Sequence, residues 1–484
     1  MKHTLNTKIT AVCIFALFHT PFFHGRLDGR LVSPEELFDL AIEAQKEEVC
    51  LDPTNETRFV NPKKPVTFMV YMAADNDLNY FAWKNLKQME QIGSNENISI
   101  VVQLNTPGNQ NPTKRYVVKK GRRLLVQDDN NPTQKLNSGS PHTLIDFVKW
   151  AATHYPADQY ALILWNHGSG DIDPNFARTI NPCDLFYENP IDNMLEIDRG
   201  TSYMTLMYQA ALQNILSEGK RGICFDDTFK SYINNQDLEF ALHEICTNVL
   251  GGNKLGILGF DACLMSMIGV ASVAKKYAQY MVSSQEVEYG TGWNYELVLK
   301  PFLQQALSSR ELAQSIVLAY EQNYSKIIND YTMSALDLTL TESLEKNIHE
   351  VATLLHGALK NQSNHCVSDI LRKCKSTQYC TCFDEPSYID LGHFYQNLLQ
   401  HIPHIHIKDR QDEARLQADL RSAITTGLDT ITLYVVENRV GAKLRKAQGI
   451  SIYFPEHSIS QNYLKSPFAI SNHWSFLLSR YIMG

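Results

Sequence analysis

What this chain most plainly lacks is an excess of positive charge: 44 Lys and Arg stand against 52 Asp and Glu, a formal net charge of -8. That balance gives no hint of a broad basic surface, and so none of nucleic acid or an anionic membrane as the partner. Long apolar runs are also missing. Residues 9–18, preceded by Lys2 and Lys8, are too few to span a bilayer comfortably and have the proportions of a signal-peptide core. The bulky His19-Thr20-Pro21-Phe22-Phe23-His24-Gly25 offers no small-x-small cleavage site, so an uncleaved segment would instead anchor the chain. No EF-hand loop is present, which leaves calcium open but without a motif. Nor do Cys366, Cys374, Cys380 and Cys382, with His365, form Cys-x-x-Cys knuckles. In an exported chain such thiols read as disulfides before they read as a zinc site, and no metal is assigned.

The 484 residues allow two or three domains. Residues 1–25 read as signal peptide or anchor and 26–64 as a leader or pro-segment, in which Ser33-Pro34-Glu35-Glu36 has the cap, proline and glutamate of a helix start. From residue 65 to 302 apolar strands alternate with amphipathic helices, the α/β pattern of a mostly parallel sheet flanked by helices. Residues 66–72 and 98–104 read as strands. Asp77 caps a helix carrying Leu78, Phe81, Leu86 and Met89, and Ser140-Pro141 opens another. The spacing of Asp75 and Asp77 suits a turn and a cap better than a metal site. Residues 280–288 read as a further strand. A helix-rich region, 303–484, packs on this domain, with two or three helices between 303 and 359 and a loop after Val435 and Val436.

Two stretches carry the chemistry. Leu255-Gly256-Ile257-Leu258-Gly259-Phe260-Asp261 is a buried strand that stops at Ala262-Cys263, and residues 264–276 read as the helix after it. Cys263 thus stands at a strand's carboxyl end, where open α/β sheets place their sites and where helix amides stabilise a thiolate. Upstream, Tyr160-Ala161-Leu162-Ile163-Leu164-Trp165 repeats the design and ends in Asn166-His167-Gly168-Ser169-Gly170. Alone, Cys263 reads equally as a buried cysteine and His167 as a turn residue. Together, on neighbouring parallel strands, they supply a nucleophile and a proton shuttle. The insertion between them, 171–222, is longer than one crossover needs, and its part from Asp171 to Thr201 is rich in Asn, Asp, Pro and Gly, an accessible place for cleavage.

The chain resembles the clostripain family of cysteine peptidases, which have a caspase-like fold. The residues that carry the likeness are Val70-Tyr71-Met72-Ala73-Ala74-Asp75-Asn76-Asp77-Leu78, Asn166-His167-Gly168-Ser169-Gly170, Phe260-Asp261-Ala262-Cys263-Leu264-Met265, Gly290-Thr291-Gly292-Trp293 and Gly449-Ile450-Ser451-Ile452-Tyr453-Phe454-Pro455. The resemblance implies a secreted or cell-envelope endopeptidase acting on proteins and peptides after Arg, in preference to Lys, with His167 and Cys263 as the catalytic pair. The oxyanion would be held by the main-chain N–H groups of Gly168 and Cys263. It assigns Asp261 to the cationic side chain before the cut, although Asp261 suits a cap or loop-orienting role as well. Ser284, on the strand that walls the pocket, and Trp293 would complete it, with a core tryptophan the other reading. Self-processing is implied too, after Arg178, Arg199, Lys220 or Arg221. Two other classes remain: a non-catalytic surface protein retaining the fold, and a His–Cys hydrolase or acyltransferase of different specificity.

Overall fold

The computed structural model describes residues 61–126, 132–171, 185–199 and 222–483, with short strands at 25–27, 30–32 and 49–50. The apolar segment 9–18, the helix start at Ser33, and Arg178, Lys220 and Arg221 lie outside the described residues. Nine strands are named here: β1 (Lys64–Ala73), β2 (Ile98–Asn105), β3 (Lys114–Lys119), β4 (Arg122–Leu125), β5 (Ala157–Trp165), β6 (Leu255–Asp261), β7 (Ala278–Ser283), β8 (Thr332–Asp337) and β9 (Val435–Val440). They form one sheet in the order β9-β8-β7-β6-β5-β1-β2-β3-β4, and Val49–Cys50 adds a tenth strand beside β4. The five central strands, β7, β6, β5, β1 and β2, are parallel. Antiparallel pairs close each side, β3 with β4 and β8 with β9.

The parallel centre follows from strands that are apolar on both faces. In β1, Phe68, Val70 and Met72 enter one core, while Met69, Tyr71 and Ala73 enter the other. The first core is roofed by α1 (Asn79–Ile92), through Phe81, Leu86 and Met89, and by a helix at Ser309–Tyr324, through Leu312, Ile316 and Val317. Across the sheet lie α2 (Pro141–His154), α3 (Asn235–Glu244) and α4 (Ile268–Ala274). Helices on both faces leave the loops at the carboxyl ends of the strands as the place where polar side chains converge. The architecture is the expected mostly parallel α/β sheet.

Three local expectations are corrected. β7 ends at Ser283 and not at Glu288, because Ser284 Oγ accepts the N–H of Glu286 at 3.1 Å and turns the chain out of the ladder. The C-terminal third is less purely helical than its amphipathic spacing implies. β8 lies inside the stretch read as helices, and β9 runs from Val435 into the first residues of the stretch read as a loop, following directly on the helix Arg410–Tyr434. Finally, Cys366, Cys374, Cys380 and Cys382 are free thiols. Cys366 Sγ donates to His406 O at 3.0 Å and Cys382 Sγ to Lys375 O at 3.4 Å, so main-chain acceptors take the place of the expected disulfides.

Candidate active site

The register of the sheet fixes the site. Trp165 ends β5 opposite Asp261, the end of β6, and opposite Met72 of β1 on its other side. Three adjacent strands therefore release their loops together: 74–78 from β1, 166–170 from β5 and 262–267 from β6. Asn166 ties them. Its N–H donates to Asp261 O at 3.2 Å, and its amide nitrogen donates to Ala73 O and to Phe225 O. Its amide oxygen accepts the Phe225 N–H at 2.8 Å. A side chain with two donors and an acceptor, all engaged, sets the next residue rigidly in place.

That next residue is His167, with no exposed surface, whose Nε2 lies 2.8 Å from Asp77 Oδ1. The expected cap is corrected: Asn76 Oδ1, not Asp77, accepts the Leu78 N–H at the start of α1. Asp77 is free to face the imidazole. Its neighbour Asp75 pairs with Lys135 at 2.8 Å. Gly168 follows where side chains have no room, since a Cβ there would stand 2.5 Å from Cys263 O.

Cys263 is the second residue of the loop after β6 and is 3% exposed. The expected helix does not start beside it. Leu264 takes a left-handed φ of 62°, Leu264 N–H donates to Glu286 O at 3.2 Å and Ser266 N–H to Ser284 O at 2.8 Å, so α4 begins only at Ile268. The thiol is bracketed instead by Glu288. The Glu288 N–H donates to Sγ at 3.3 Å, and the thiol donates to Glu288 O at 3.8 Å. Burial pushes the Cys263 thiol well above the usual thiol range.

His167, Cys263, Asp261, Glu288, Tyr289 and Gly290 are among the residues lining one narrow cleft. Asp261 lies in its wall, with Oδ1 accepting the Trp293 N–H at 3.0 Å and Oδ2 the Tyr295 hydroxyl at 2.8 Å. Gly292, at φ 59°, permits this cradle: a Cβ there would sit 2.5 Å from Asp261 Oδ1. Burial raises the Asp261 carboxyl to about 7. Glu288 is pushed higher, first by burial and then by the Asp261 charge, and a hydrogen bond links the two carboxyls. Among the described residues, Asp261 has two donors and Glu288 only the Ala262 N–H, at 3.3 Å. Asp261 is thus the partner that ionises, and Glu288 keeps the proton.

Other expected residues stand back from the cleft. Ser284 is fully buried, its Oγ donating to Glu286 O at 2.8 Å. The Trp293 ring lies in the core, 2.8 Å from where a Cβ on Gly259 would be. Arg199 reaches Glu286 at 2.8 Å and Asp330 at 3.2 Å. Among the described residues no group of three or more His, Cys, Asp or Glu is placed to hold a metal ion. Asp77 and Glu288 are the two cleft-side acids that spacing does not reveal as such. The one available signal was a pair of glutamates, Glu286 and Glu288, in an otherwise buried stretch.

The fold is caspase-like, that of solved C11 cysteine proteases. A secreted C11 cysteine protease from Bacteroides thetaiotaomicron, in complex with an irreversible peptide inhibitor, superposes with a TM-score of 0.53 at 18% identity, over 85% of this chain and 99% of that one. An inactive zymogen C11 protease from Parabacteroides distasonis gives 0.54 at 15% identity, over 85% and 98%. The chain belongs to the clostripain family of cysteine peptidases, whose model matches residues 70–196 and 209–479. Clostripain of Hathewaya histolytica is 23% identical over 265 residues, 49% of this chain, and the match spans 42% of that relative's length.

Proposed function

We propose that this protein is a secreted cysteine endopeptidase that cleaves after basic residues, arginine before lysine. The observation that carries this reading is the convergence of His167, Cys263 and the ionisable Asp261 on one cleft at the carboxyl ends of adjacent parallel strands. Cys263 Sγ, losing its proton to His167, attacks the scissile carbonyl carbon, and the tetrahedral oxyanion is held by the N–H groups of Cys263 and Gly168. The C–N bond then breaks as His167 returns the proton to the leaving amine. Water, deprotonated by His167, attacks the thioester and releases the new carboxyl end and the thiol.

Asp261 is the residue that recognises the cation. A carboxylate in a nearly dry wall pairs strongly with a guanidinium, whose planar fork matches it better than an ammonium does. The N-terminal apolar segment supports export. The long insertion between His167 and Cys263 supports self-processing, with Arg178, Lys220 and Arg221 as the sites; Arg199 is a weaker candidate, because its guanidinium is already held by two carboxyl groups.

Matched fluorogenic peptides ending in Arg, Lys and Asp test the specificity, and labelling with an arginyl electrophile followed by peptide mapping tests the nucleophile. Cleavage after Arg, lost in Cys263→Ala, with the label on Cys263, is the expected outcome. An unlabelled Cys263 in an active preparation would sink the reading.

A further inference from the structure

Two residues do not make the whole reacting unit. We infer that Asp77 is its third member, a positioning residue that fixes the tautomer of His167 and holds the imidazolium once the thiol proton arrives. The inference rests on the assignment of His167 and Cys263 as the reacting pair.

Three observations carry it. Asp77 Oδ1 lies 2.8 Å from Nε2 of a histidine with no solvent-exposed surface. A carboxylate only accepts, so Nε2 must be the donor and the lone pair of the neutral ring is on Nδ1. Nδ1 is then the base, a choice that an unpartnered imidazole in solution would not make uniquely.

The loop bearing Asp77 is held from both sides. Asn76 Nδ2 donates to Ala73 O at 3.0 Å and to Phe225 O at 3.1 Å, while Asp227 N–H donates to Asp75 O at 2.8 Å. Such bracing suits a residue whose task is direction.

The third observation is topological. The cysteine, histidine and aspartate follow the ends of β6, β5 and β1, which are consecutive neighbours in the sheet. The chain thus sets nucleophile, base and orienting acid in spatial order, one per strand. Asp77 keeps 31% of its side chain exposed, so water reaches its far side while its near oxygen faces the ring.

The test compares Asp77→Asn and Asp77→Ala in the full chain, using an Arg peptide and separating kcat from KM. For Asp77→Ala we expect kcat to fall on the order of 100-fold with KM nearly unchanged, and the alkylation rate of Cys263 by iodoacetamide to fall in parallel. Asp77→Asn can still face the ring but carries no charge. It is expected to recover less than about a tenth of the lost rate, and it stands in if the alanine variant fails to fold. Asp77→Asn at full kcat, or Asp77→Ala within about twofold of the parent, would overturn the proposal. Cys263→Ala separates the two levels: if it stays active, the reacting pair itself is wrong, whereas an inactive Cys263→Ala beside a fully active Asp77→Ala removes only Asp77.

Discussion

The main chain of Glu288 closes around the sulfur of Cys263, its N–H at 3.3 Å and its carbonyl at 3.8 Å. In this arrangement burial keeps the resting side chain as a thiol. Alkylation of Cys263 by iodoacetamide should therefore climb steadily from about pH 6 to about pH 9 without levelling. A plateau below about pH 8 would mean that the thiolate is already formed.

Recognition of arginine should depend on pH through Asp261, whose carboxyl titrates at about 7. The sign follows from desolvation: below that value the group is neutral and cannot pair with a guanidinium, above it the charge is present. Cys263 ionisation cancels when an arginyl peptide is compared with its citrulline analogue. The ratio of their kcat/KM values should rise roughly tenfold between about pH 6 and about pH 8, and should be flat and small in Asp261→Asn.

Arg199 matters to stability even if it is never cut. It sits over Glu286, which has no exposed surface and which burial raises to about 7 despite the guanidinium. Among the described residues, Arg199→Ala leaves that carboxyl without a cationic partner, although 41% exposure of the arginine side chain tempers the loss. Denaturant unfolding should show a decrease of about 1–3 kcal/mol, and Arg199→Ala with Glu286→Gln should recover part of it.

Self-processing makes a separate claim about mass. Intact-mass measurement of the parent should show two fragments joined at a cut after Arg178, Lys220 or Arg221, unchanged in Arg199→Ala. Cys263→Ala should remain one chain. Fragmentation of Cys263→Ala would assign the cut to a contaminating protease.

The strands that place the site were readable because they are uninterrupted apolar runs that stop at polar or glycine-rich sequence, as at Trp165-Asn166 and Asp261-Ala262. The Ser140-Pro141 helix start was equally plain, since α2 begins at Pro141. What failed was decided by partners distant in sequence. Leu264-Met265-Ser266-Met267 has helical composition, yet Glu286 and Ser284 draw its amides into a loop. The spacing of Asp77 fits a cap, and only a histidine 90 positions later shows its other use. Glu288 gave no local hint of lying across from Asp261. The thiols at Cys366 and Cys382 invited bridges, but their reach to carbonyl oxygens is invisible in spacing.

The sheet order carries one more consequence. β5 precedes the long insertion and β6 follows it, yet they are paired neighbours in the middle of the molecule. Severing the polypeptide between them would break a covalent thread while leaving the interior intact. The two pieces would share a hydrophobic core and comigrate in gel filtration, and only a denaturing gel would reveal the nick.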